Sequence, residues 1–329
     1  MTIVGKFVIS LDFELVWGLF DHADIYRREH IFLETQRVVP QVLNLAVGNE
    51  VRITWATVGM LMLNDWDDWD QQAQELDGLK PGYNNERLSP YRFGQFARQK
   101  MSADCFFSPE HVRAIVSAPG QELATHTFSH YYCLEPGQTV EHFRADLQLA
   151  QNIAQRFDSR LSSLVFPRNQ FQPEYLAACH SAGIAKVRTN PGVWYWTAPQ
   201  LNSLAAKAVR TADAYLPFRS KAYSDQLISQ QAGVTLEPAS RFLRPHSRWT
   251  AANWARLQRV KAEMTDAARR GLIYHLWWHP HNFGRYPVES MATLKMIFRW
   301  YHQLRDEFGM QSATMQEVQR PRFPGQIVV

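Results

Sequence analysis

Cysteine is scarce in this sequence: the 329 residues include three, Cys105, Cys133 and Cys179, which are too far apart to form a CxxC pair. An odd number of widely spaced cysteines is typical of a protein from a reducing compartment, and it argues against a metal site built from thiolates. The sequence also lacks an apolar run long enough to span a bilayer, and its first residues lack the charged leader and apolar core of a signal peptide. We therefore expect a cytoplasmic protein without a transmembrane segment.

Clusters of one charge are absent as well. The 35 lysine and arginine residues are well mixed with the 31 aspartate and glutamate residues, and the formal net charge is only +4. Because a nucleic-acid-binding surface needs a basic cluster, nucleic acid is not an expected partner. The chain is 46% hydrophobic and 20% charged, which is the composition of a globular protein with a large core.

Near the N-terminus, an apolar stretch over residues 7–13 contains Asp12 and is followed directly by Glu14. Residues two apart on an extended chain point to the same side, so the two carboxylates share one face. The stretch predicts a buried strand, and α/β proteins carry their functional sites at the carboxyl ends of strands. By itself, the pattern is equally compatible with a strand that runs into a solvated loop.

Strand-like and helix-like segments alternate about seven times along the chain. Further strands are predicted at residues 51–57, 122–125, 161–166, 184–188 and 272–278. This alternation indicates a parallel α/β architecture, either a doubly wound sheet or a barrel. Since no linker divides the chain, we predict a single domain over residues 1–329 with loop insertions at about 64–108 and 190–249. The first insertion is expected to lie over the strand ends that bear Asp12 and His126.

Histidines in an HxxxH pattern follow the third of these strands. On a helical turn, His126 and His130 would share a face and could reach one cation. The spacing alone is a weak signal, because His275 and His279 have it too. A carboxylate such as Glu14 at another strand end strengthens it, since catalytic zinc sites use three nitrogen or oxygen ligands. Two histidines and a carboxylate also suit cobalt, nickel or ferrous iron.

The order of these segments resembles that of the motifs of polysaccharide deacetylases, the NodB-homology proteins of carbohydrate esterase family four. The matching segments are Asp12-Phe13-Glu14, Ala56-Thr57-Val58-Gly59, His126-Thr127-Phe128-Ser129-His130, Phe166-Pro167-Arg168 and His279-Pro280. The resemblance covers about residues 7–281. It implies a distorted (β/α)7-type barrel of parallel strands with surrounding helices. It also implies hydrolysis of N-acetyl or related amide groups on sugars with a bound divalent metal.

By position, the resemblance implies a role for each catalytic residue. Asp12 resembles the catalytic base, Arg168 the arginine that pairs with this base, and His279 the general acid. Arg168 follows its proline, whereas the family's arginine precedes it. His281 is a rival for the acid role, and His275 is interpreted as a buried strand histidine.

The resemblance also implies a metal centre. Glu14, His126 and His130 take the positions of the ligands of one divalent ion, with zinc expected first and cobalt or nickel as alternatives. The family has an aspartate where this sequence has Glu14, so the carboxylate reaches one methylene further. Some relatives with an altered first motif act on cyclic amides without a metal.

Candidate substrate-binding residues are Trp17, Trp194, Trp196 and His281, because large aromatic side chains can stack on sugar rings. For Trp194 and Trp196 the alternative is packing in the core or in the interface of a homo-oligomer.

The resulting hypothesis is a metal-dependent carbohydrate deacetylase that removes an N-acetyl or related N-acyl group from a sugar or oligosaccharide. A precursor of a bacterial surface polysaccharide, as in lipopolysaccharide biosynthesis, is the expected substrate. One alternative is a metal-independent hydrolase of a cyclic amide or ureide on the same fold. Another is a non-catalytic carbohydrate-binding protein with a degenerate site, which the complete set of acid, base and ligand residues disfavours.

Overall fold

A computed structural model describes residues 4–170, 172–196, 203–216 and 219–318. Its strands are β1 (Lys6–Phe13), β2 (Ile53–Thr57), β3 (Gln121–Thr125), β4 (Ser163–Val165), β5 (Lys186–Thr189), β6 (Ser229–Gln231), β7 (Val234–Pro238), β8 (Arg241–Phe242), β9 (Ile273–Trp278) and β10 (Gln311–Ala313). They form one sheet in the order β6-β7-β5-β4-β3-β2-β1-β9-β8, with β10 beside β1. The pairings among these strands are parallel except that of β6 with β7.

The segment that contains β7 and β8 closes the sheet into a barrel. β7 pairs with β5, and β8 pairs with β9 on the other side of the opening. Between the two, the Ala239 N–H donates to the Thr189 carbonyl at 2.8 Å and the Ser240 N–H donates to the His275 carbonyl at 2.8 Å. β7 and β8 therefore act as one bent strand. Together with β1 to β5 and β9 it makes a distorted seven-stranded barrel, as predicted.

This closing strand lies within residues 190–249, which the sequence pattern had assigned to an irregular insertion. The two halves of the strand are five and two residues long and meet at a bend after Pro238. The two-residue half is too short to carry an alternating pattern, and the five-residue half contains Glu237 and ends at Pro238, residue types that strands disfavour. The expectation of an irregular insertion over this whole range is therefore wrong.

Helices surround the barrel: α1 (Glu29–Gly48), α2 (Trp66–Glu75), α3 (Pro90–Ala97), α4 (Pro109–Ser117), α5 (Val140–Gln155), α6 (Glu174–Ser181), α7 (Leu204–Asp213), α8 (Thr250–Arg270) and α9 (Pro287–Phe308). The Thr139 side chain caps α5 by accepting a hydrogen bond from the His142 N–H. Gly271 and Gly309 end α8 and α9 in the left-handed conformation that glycine adopts without a steric penalty. Over the part of the chain that the structure describes, no helix combines the length and the hydropathy needed to cross a bilayer.

Alternate residues of β1 face opposite sides of the barrel wall. One side belongs to the main hydrophobic core beneath the helices, through Phe7, Ile9, Leu11 and Phe13. On the other side, Val8 packs in a smaller apolar cluster with Met315 and Val318. The Met315 N–H donates to the Thr54 hydroxyl at 2.8 Å, which fixes the segment after β10 at the amino-terminal end of the barrel. The Thr54 hydroxyl donates to the buried Glu122 carboxylate at 2.7 Å, so this end holds polar as well as apolar side chains, and Ser10 and Asp12 lie toward the carboxyl end.

Residues 64–108 pack on the rim formed by the carboxyl ends of the strands. The ring of Trp17, which follows β1, contacts the ring of Phe93 with centroids 6.3 Å apart. The Tyr83 hydroxyl accepts a hydrogen bond at 2.8 Å from the N–H of Tyr132, which follows β3. The segment thus lies near the strand ends that bear Asp12 and His126, as expected. Its buried aromatic side chains, Trp69 and Tyr83 among them, pack against the protein.

Candidate active site

The parallel register brings three chain segments to one level at the carboxyl end of the barrel. Phe13 of β1 pairs with Thr57 of β2, and Thr57 pairs with Thr125 of β3. The ladder continues one residue further, since the His126 N–H donates to the Thr57 carbonyl at 2.9 Å. Because Glu14 and His126 each directly follow a strand that ends at this level, they are neighbours.

Four histidines surround the carboxylate of Glu14. Its Oε2 atom lies 3.0 Å from Nε2 of His130 and 3.2 Å from Nε2 of His126. Its Oε1 atom lies 3.6 Å from Nε2 of His279 and 3.8 Å from Nδ1 of His281. Burial favours a raised pKa for Glu14, but the imidazoles, His279 first among them, hold the pKa of this carboxyl well below its ordinary value. An ionised, buried carboxylate among imidazoles has the donor chemistry of a metal site.

The orientation of His126 supports a cation between its ring and Glu14. Its Nδ1 atom lies 2.8 Å from the Val165 carbonyl, which can only accept, so Nδ1 carries the ring proton. In the neutral ring, the Nε2 lone pair then faces a carboxylate oxygen 3.2 Å away, and the two repel unless a positive charge lies between them. Ligand atoms around a tetrahedral zinc ion lie about 3.3 Å apart, close to the separations of 3.0 and 3.2 Å found here. Glu14, His126 and His130 therefore fit a divalent ion.

Residues 126–130, which we call the histidine turn, are not helical. Thr127 and His130 have φ angles of +65° and +55°, in the left-handed region. The turn is held by Asp146 of α5, whose carboxylate accepts the Phe128 N–H at 2.7 Å, the Ser129 N–H at 3.1 Å and the Ser129 hydroxyl. The prediction that a helical turn aligns the two histidines is therefore wrong, although both imidazoles do reach the same carboxylate.

Asp12 pairs with Arg188 of β5. The two guanidinium Nη atoms donate to the two carboxylate oxygens at 2.6 and 2.8 Å. Burial by itself would raise the pKa of Asp12, but the Arg188 charge outweighs burial and the pKa is lowered. Arg188 also donates to the Ser10 hydroxyl at 2.9 Å and lies 4.3 Å from the centroid of the Trp277 ring. Asp12 is thus a fixed carboxylate that remains ionised.

Arg168, the residue predicted to pair with Asp12, lies elsewhere in the site. The chain turns at Arg168, where φ is +55°, and the guanidinium contacts the carboxylate of Asp21. It also lies 4.3 Å from the centroid of the Tyr132 ring, whose hydroxyl is 3.2 Å from Nδ1 of His130. The predicted pairing of Arg168 with Asp12 is wrong. Arg168 instead contacts Tyr132, which in turn contacts His130, a candidate metal ligand.

His279 is the most exposed of the histidines around Glu14, with 24% of its side chain accessible. Its Nε2 atom lies 3.7 Å from Oδ2 of Asp12. The Asn282 side-chain amide donates to Nδ1 of His279 at 3.4 Å, which places the ring proton of the neutral imidazole on Nε2. Nε2 is therefore the ring atom through which His279 can exchange a proton with a group bound at the mouth of the site.

The neighbouring histidines are both buried and uncharged. His275 lies 2.8 Å from the Ser10 hydroxyl, and burial lowers its pKa to about 3, in keeping with the structural role expected for it. His281 stacks beside His279 with ring centroids 5.0 Å apart, and burial lowers its pKa to about 3 as well. His281 faces Glu14, and little of its surface is open to a substrate.

Of the predicted substrate-binding tryptophans, Trp17 is fully buried, and its indole N–H donates to the Phe106 carbonyl at 2.8 Å. The prediction that Trp17 stacks on a sugar is therefore wrong. Trp194 is 53% exposed and borders a cavity of about 800 Å³. The Trp196 ring lies 6.1 Å from that of Trp277, which is 5.7 Å from the His279 ring. Trp194 and Trp196 remain candidates for stacking on a sugar.

Three residues of the site were not singled out by sequence patterns: Gly18, Asp146 and Arg188. A Cβ atom on Gly18 would lie 2.0 Å from the carboxyl carbon of Glu14, so this glycine leaves the space that the longer acid occupies. Asp146 and Arg188 could have been recognised as candidates from the sequence pattern. A charged residue in a buried strand or in the buried stripe of a helix needs a partner, and both Arg188 and Asp146 occupy such positions.

Comparison with solved structures places the barrel in a known class. The chain aligns with a protein described as a polysaccharide deacetylase from Mycobacterium smegmatis at a TM-score of 0.57 and 12% identity, over 99% of this chain and 96% of that one. A second protein described in this way, from Pseudomonas aeruginosa PAO1, aligns at a TM-score of 0.51 and 12% identity, over 95% and 88% of the two chains. The alpha-amylase AmyC from Thermotoga maritima aligns at 0.54 and 11% identity, over 95% and 74%.

The chain therefore has the fold of the polysaccharide deacetylases, and the resemblance predicted from its motifs is confirmed at the level of the fold. No family profile matches the sequence, and no curated protein matches it either. Because the amylase has a similar fold, the fold alone does not select a reaction. The arrangement of residues in the site has to do so.

Proposed function

We propose that this protein is a metal-dependent hydrolase that removes an N-acetyl or related N-acyl group from a sugar. The observation that carries the proposal is the position of Asp12, which Arg188 holds by two hydrogen bonds, beside three side chains that could hold a metal ion and 3.7 Å from His279. Cation binding, proton acceptance and proton donation thus fall to different residues. Metal-assisted hydrolysis of an unactivated amide uses all three.

Glu14, His126 and His130 would hold one divalent ion, zinc first and cobalt or nickel as alternatives. When bound, such an ion polarises the acyl carbonyl and makes a water more acidic. Asp12 accepts the proton of this attacking water, which it can do because it is ionised. The two hydrogen bonds from Arg188 keep the carboxylate in one orientation, so no rearrangement precedes the proton transfer.

Cleavage of the C–N bond then needs a proton on the leaving nitrogen, since an amide anion is a poor leaving group. The imidazolium form of His279 supplies this proton from Nε2 and is left as the neutral imidazole, and the amine and the free carboxylic acid are the products. His279 is suited to this step because it is accessible and because Asn282 orients its ring.

The substrate that we propose is an N-acylated sugar in a precursor of a bacterial surface polysaccharide. Trp194 and Trp196 support a sugar substrate, because one is exposed beside a cavity and the other lies two ring contacts from His279. A cytoplasmic precursor is favoured by Cys105, Cys133 and Cys179, which are buried free thiols of the kind common in reducing compartments.

Three variants test the proposed roles. Asp12→Asn keeps the size of the side chain but cannot accept a proton. Turnover on N-acetylated sugars should fall by about two to four orders of magnitude, while zinc content stays near that of the wild type. His126→Ala and Glu14→Gln each remove a ligand, so zinc content and activity should fall together and recover in part with excess zinc.

Zinc per protein is measured by elemental analysis, turnover by acetate release, and folding by thermal melting. Loss of zinc in Asp12→Asn with retention in Glu14→Gln would mean that the two acids have exchanged roles. Unchanged zinc content in both variants would place the carboxylate ligand elsewhere.

A metal-independent hydrolase of a cyclic amide or ureide is the second candidate. The observation that favours it is Glu14, which occupies the position of an aspartate in the metal-binding family motif. Full activity of chelator-treated protein on a cyclic ureide, with none on N-acetylated sugars, would select this function over the first.

A further inference from the structure

One oxygen of Glu14 and one buried histidine have no part in the proposed reaction. Oε2 of Glu14 faces His126 and His130, whereas Oε1 faces the opposite way, toward His279 and His281. Nδ1 of His281 is buried and has no hydrogen-bond partner among the residues that the structure describes. Burying a polar atom without a hydrogen-bond partner costs free energy, so we expect this atom to bind a ligand.

The side chains around Oε1 have the geometry of a cation site. Ligand atoms of Glu14, His279 and His281 all lie within 4.8 Å of one another. The His281 ring is fixed by stacking on His279 and by an edge contact with Phe32, with centroids 6.3 Å apart.

We propose that Glu14, His279 and His281 form a second site for a divalent ion of the zinc type, and that an ion there inhibits the enzyme. Glu14 would bridge the two ions, with Oε2 toward the first and Oε1 toward the second. The second site binds more weakly, because it shares its carboxylate with the first and lies next to another dication.

Inhibition follows from the use of His279. A cation on Nε2 would leave the single ring proton on Nδ1, where the Asn282 amide would accept it through its oxygen. His279 would then carry no proton on Nε2 to give to a leaving amine. This part of the inference rests on the proposed function, whereas the existence of the second site does not.

Zinc titration of the metal-free protein, followed with a competing chromophoric chelator, tests the site without reference to activity. The wild type should bind two equivalents. His281→Ala should bind the first equivalent with wild-type affinity and the second more than about tenfold more weakly, because one of the three ligands of the second site is gone. The exposed His30, replaced as His30→Ala, is the control and should leave both equivalents in place.

Retention of the first equivalent shows that His281→Ala is folded, and His281→Gln serves if the alanine variant is not. One equivalent in the wild type, or two tight equivalents in both His281 variants, would overturn the second site.

Turnover on an N-acetylated sugar tests inhibition. The measured quantity is the rate at saturating zinc divided by the rate at one equivalent of zinc, taken within each protein. This ratio should be at least about tenfold below one in the wild type and near one in the His281 variant. A ratio near one in the wild type, with two ions bound, would overturn inhibition alone. If no sugar is hydrolysed under any condition, the proposed function fails, and the zinc stoichiometry still decides the second site.

Discussion

Glu14 and Gly18 form a matched pair of residues in the first turn after β1. The carboxylate of Glu14 occupies the volume that a side chain at position 18 would need. A shorter aspartate would not reach as far into this volume. The longer acid therefore depends on the glycine four residues later.

Gly18→Ala should weaken zinc binding, because the new methyl group displaces the Glu14 carboxylate from His126 and His130. We expect a loss of about 10- to 100-fold, the range typical when the support of a ligand is removed, measured by competition with a chelator. Gly48→Ala is the control, since a Cβ there meets no atom within 4 Å. Wild-type affinity in Gly18→Ala would show that Glu14 can move without leaving the metal.

Arg188→Met should shift the pH dependence of activity. Without the guanidinium, burial dominates the pKa of Asp12, which then rises, so the acidic limb of the pH–rate profile moves to higher pH. The equivalent change at Arg168, Arg168→Met, should leave this limb in place, because Arg168 contacts Asp21 and Tyr132. Equal shifts in the two variants would contradict the assignment of Arg188.

The same Arg188→Met variant should lose about 3–5 kcal/mol of stability at neutral pH, because it leaves a buried carboxylate unpaired. The lowered pKa of Asp12 in the wild type means that the pair stabilises the fold above the ordinary aspartate pKa of about 3.9. This stability is lost as the pH falls through the lowered pKa. The deficit measured by denaturant unfolding should therefore shrink in acid, and a constant deficit would mean that lost packing causes it.

At the scale of elements, the histidine turn depends on a helix that contributes no ligand. Asp146 of α5 accepts three hydrogen bonds from Phe128 and Ser129, and these contacts hold a backbone with two left-handed residues. Burial raises the pKa of Asp146 to about 7. The stability of the turn is thus linked to pH.

Asp146→Asn should be less stable than the wild type, with a deficit that depends on pH. The folded wild type keeps the proton up to about pH 7, whereas the unfolded chain releases it near pH 4, so the wild type loses stability between these values. The deficit of the variant should be largest near pH 4 and shrink toward pH 7 by at most about 4 kcal/mol. Denaturant unfolding of the metal-free protein measures it, and a deficit constant over this range would show that Asp146 is ionised throughout.

Among the strands that sequence patterns located, β1 and β9 have continuous apolar runs. β8 and β10 were not predicted, because two or three residues are too few to show a periodic pattern. The residues around the strand ends, Asp12, Glu14, His126 and His279, were found because motifs keep their order along the chain. Arg188 was missed because its partner is 176 residues away, and a pairing at that distance is set by the register of the barrel.

At the scale of the whole molecule, packing at the amino-terminal end of the barrel stabilises the fold, and the carboxyl end holds the candidate site. Met315 is completely buried in the apolar cluster at the amino-terminal end, and the site lies at the carboxyl end. Met315→Ala should cost about 2–5 kcal/mol, the usual range for a buried methionine, and leave zinc affinity unchanged. Met296→Ala, in which the residue is 39% exposed, should cost less than about 1 kcal/mol. Reduced zinc affinity in folded Met315→Ala would show that the ends are coupled.

The pairing of β1 with β9 and β10 has a consequence for how the protein is made in the cell. Ser10 and His275 are in contact although 265 residues separate them. At ribosomal rates, the first strand waits roughly 10 to 50 s for its partners to emerge. Until then only its edge toward β2 can be paired, so a nascent chain should be a client of chaperones that cover exposed strand edges. A product of interrupted translation would carry Asp12 and Glu14 but lack both the closed barrel and His279, so such fragments should be inert.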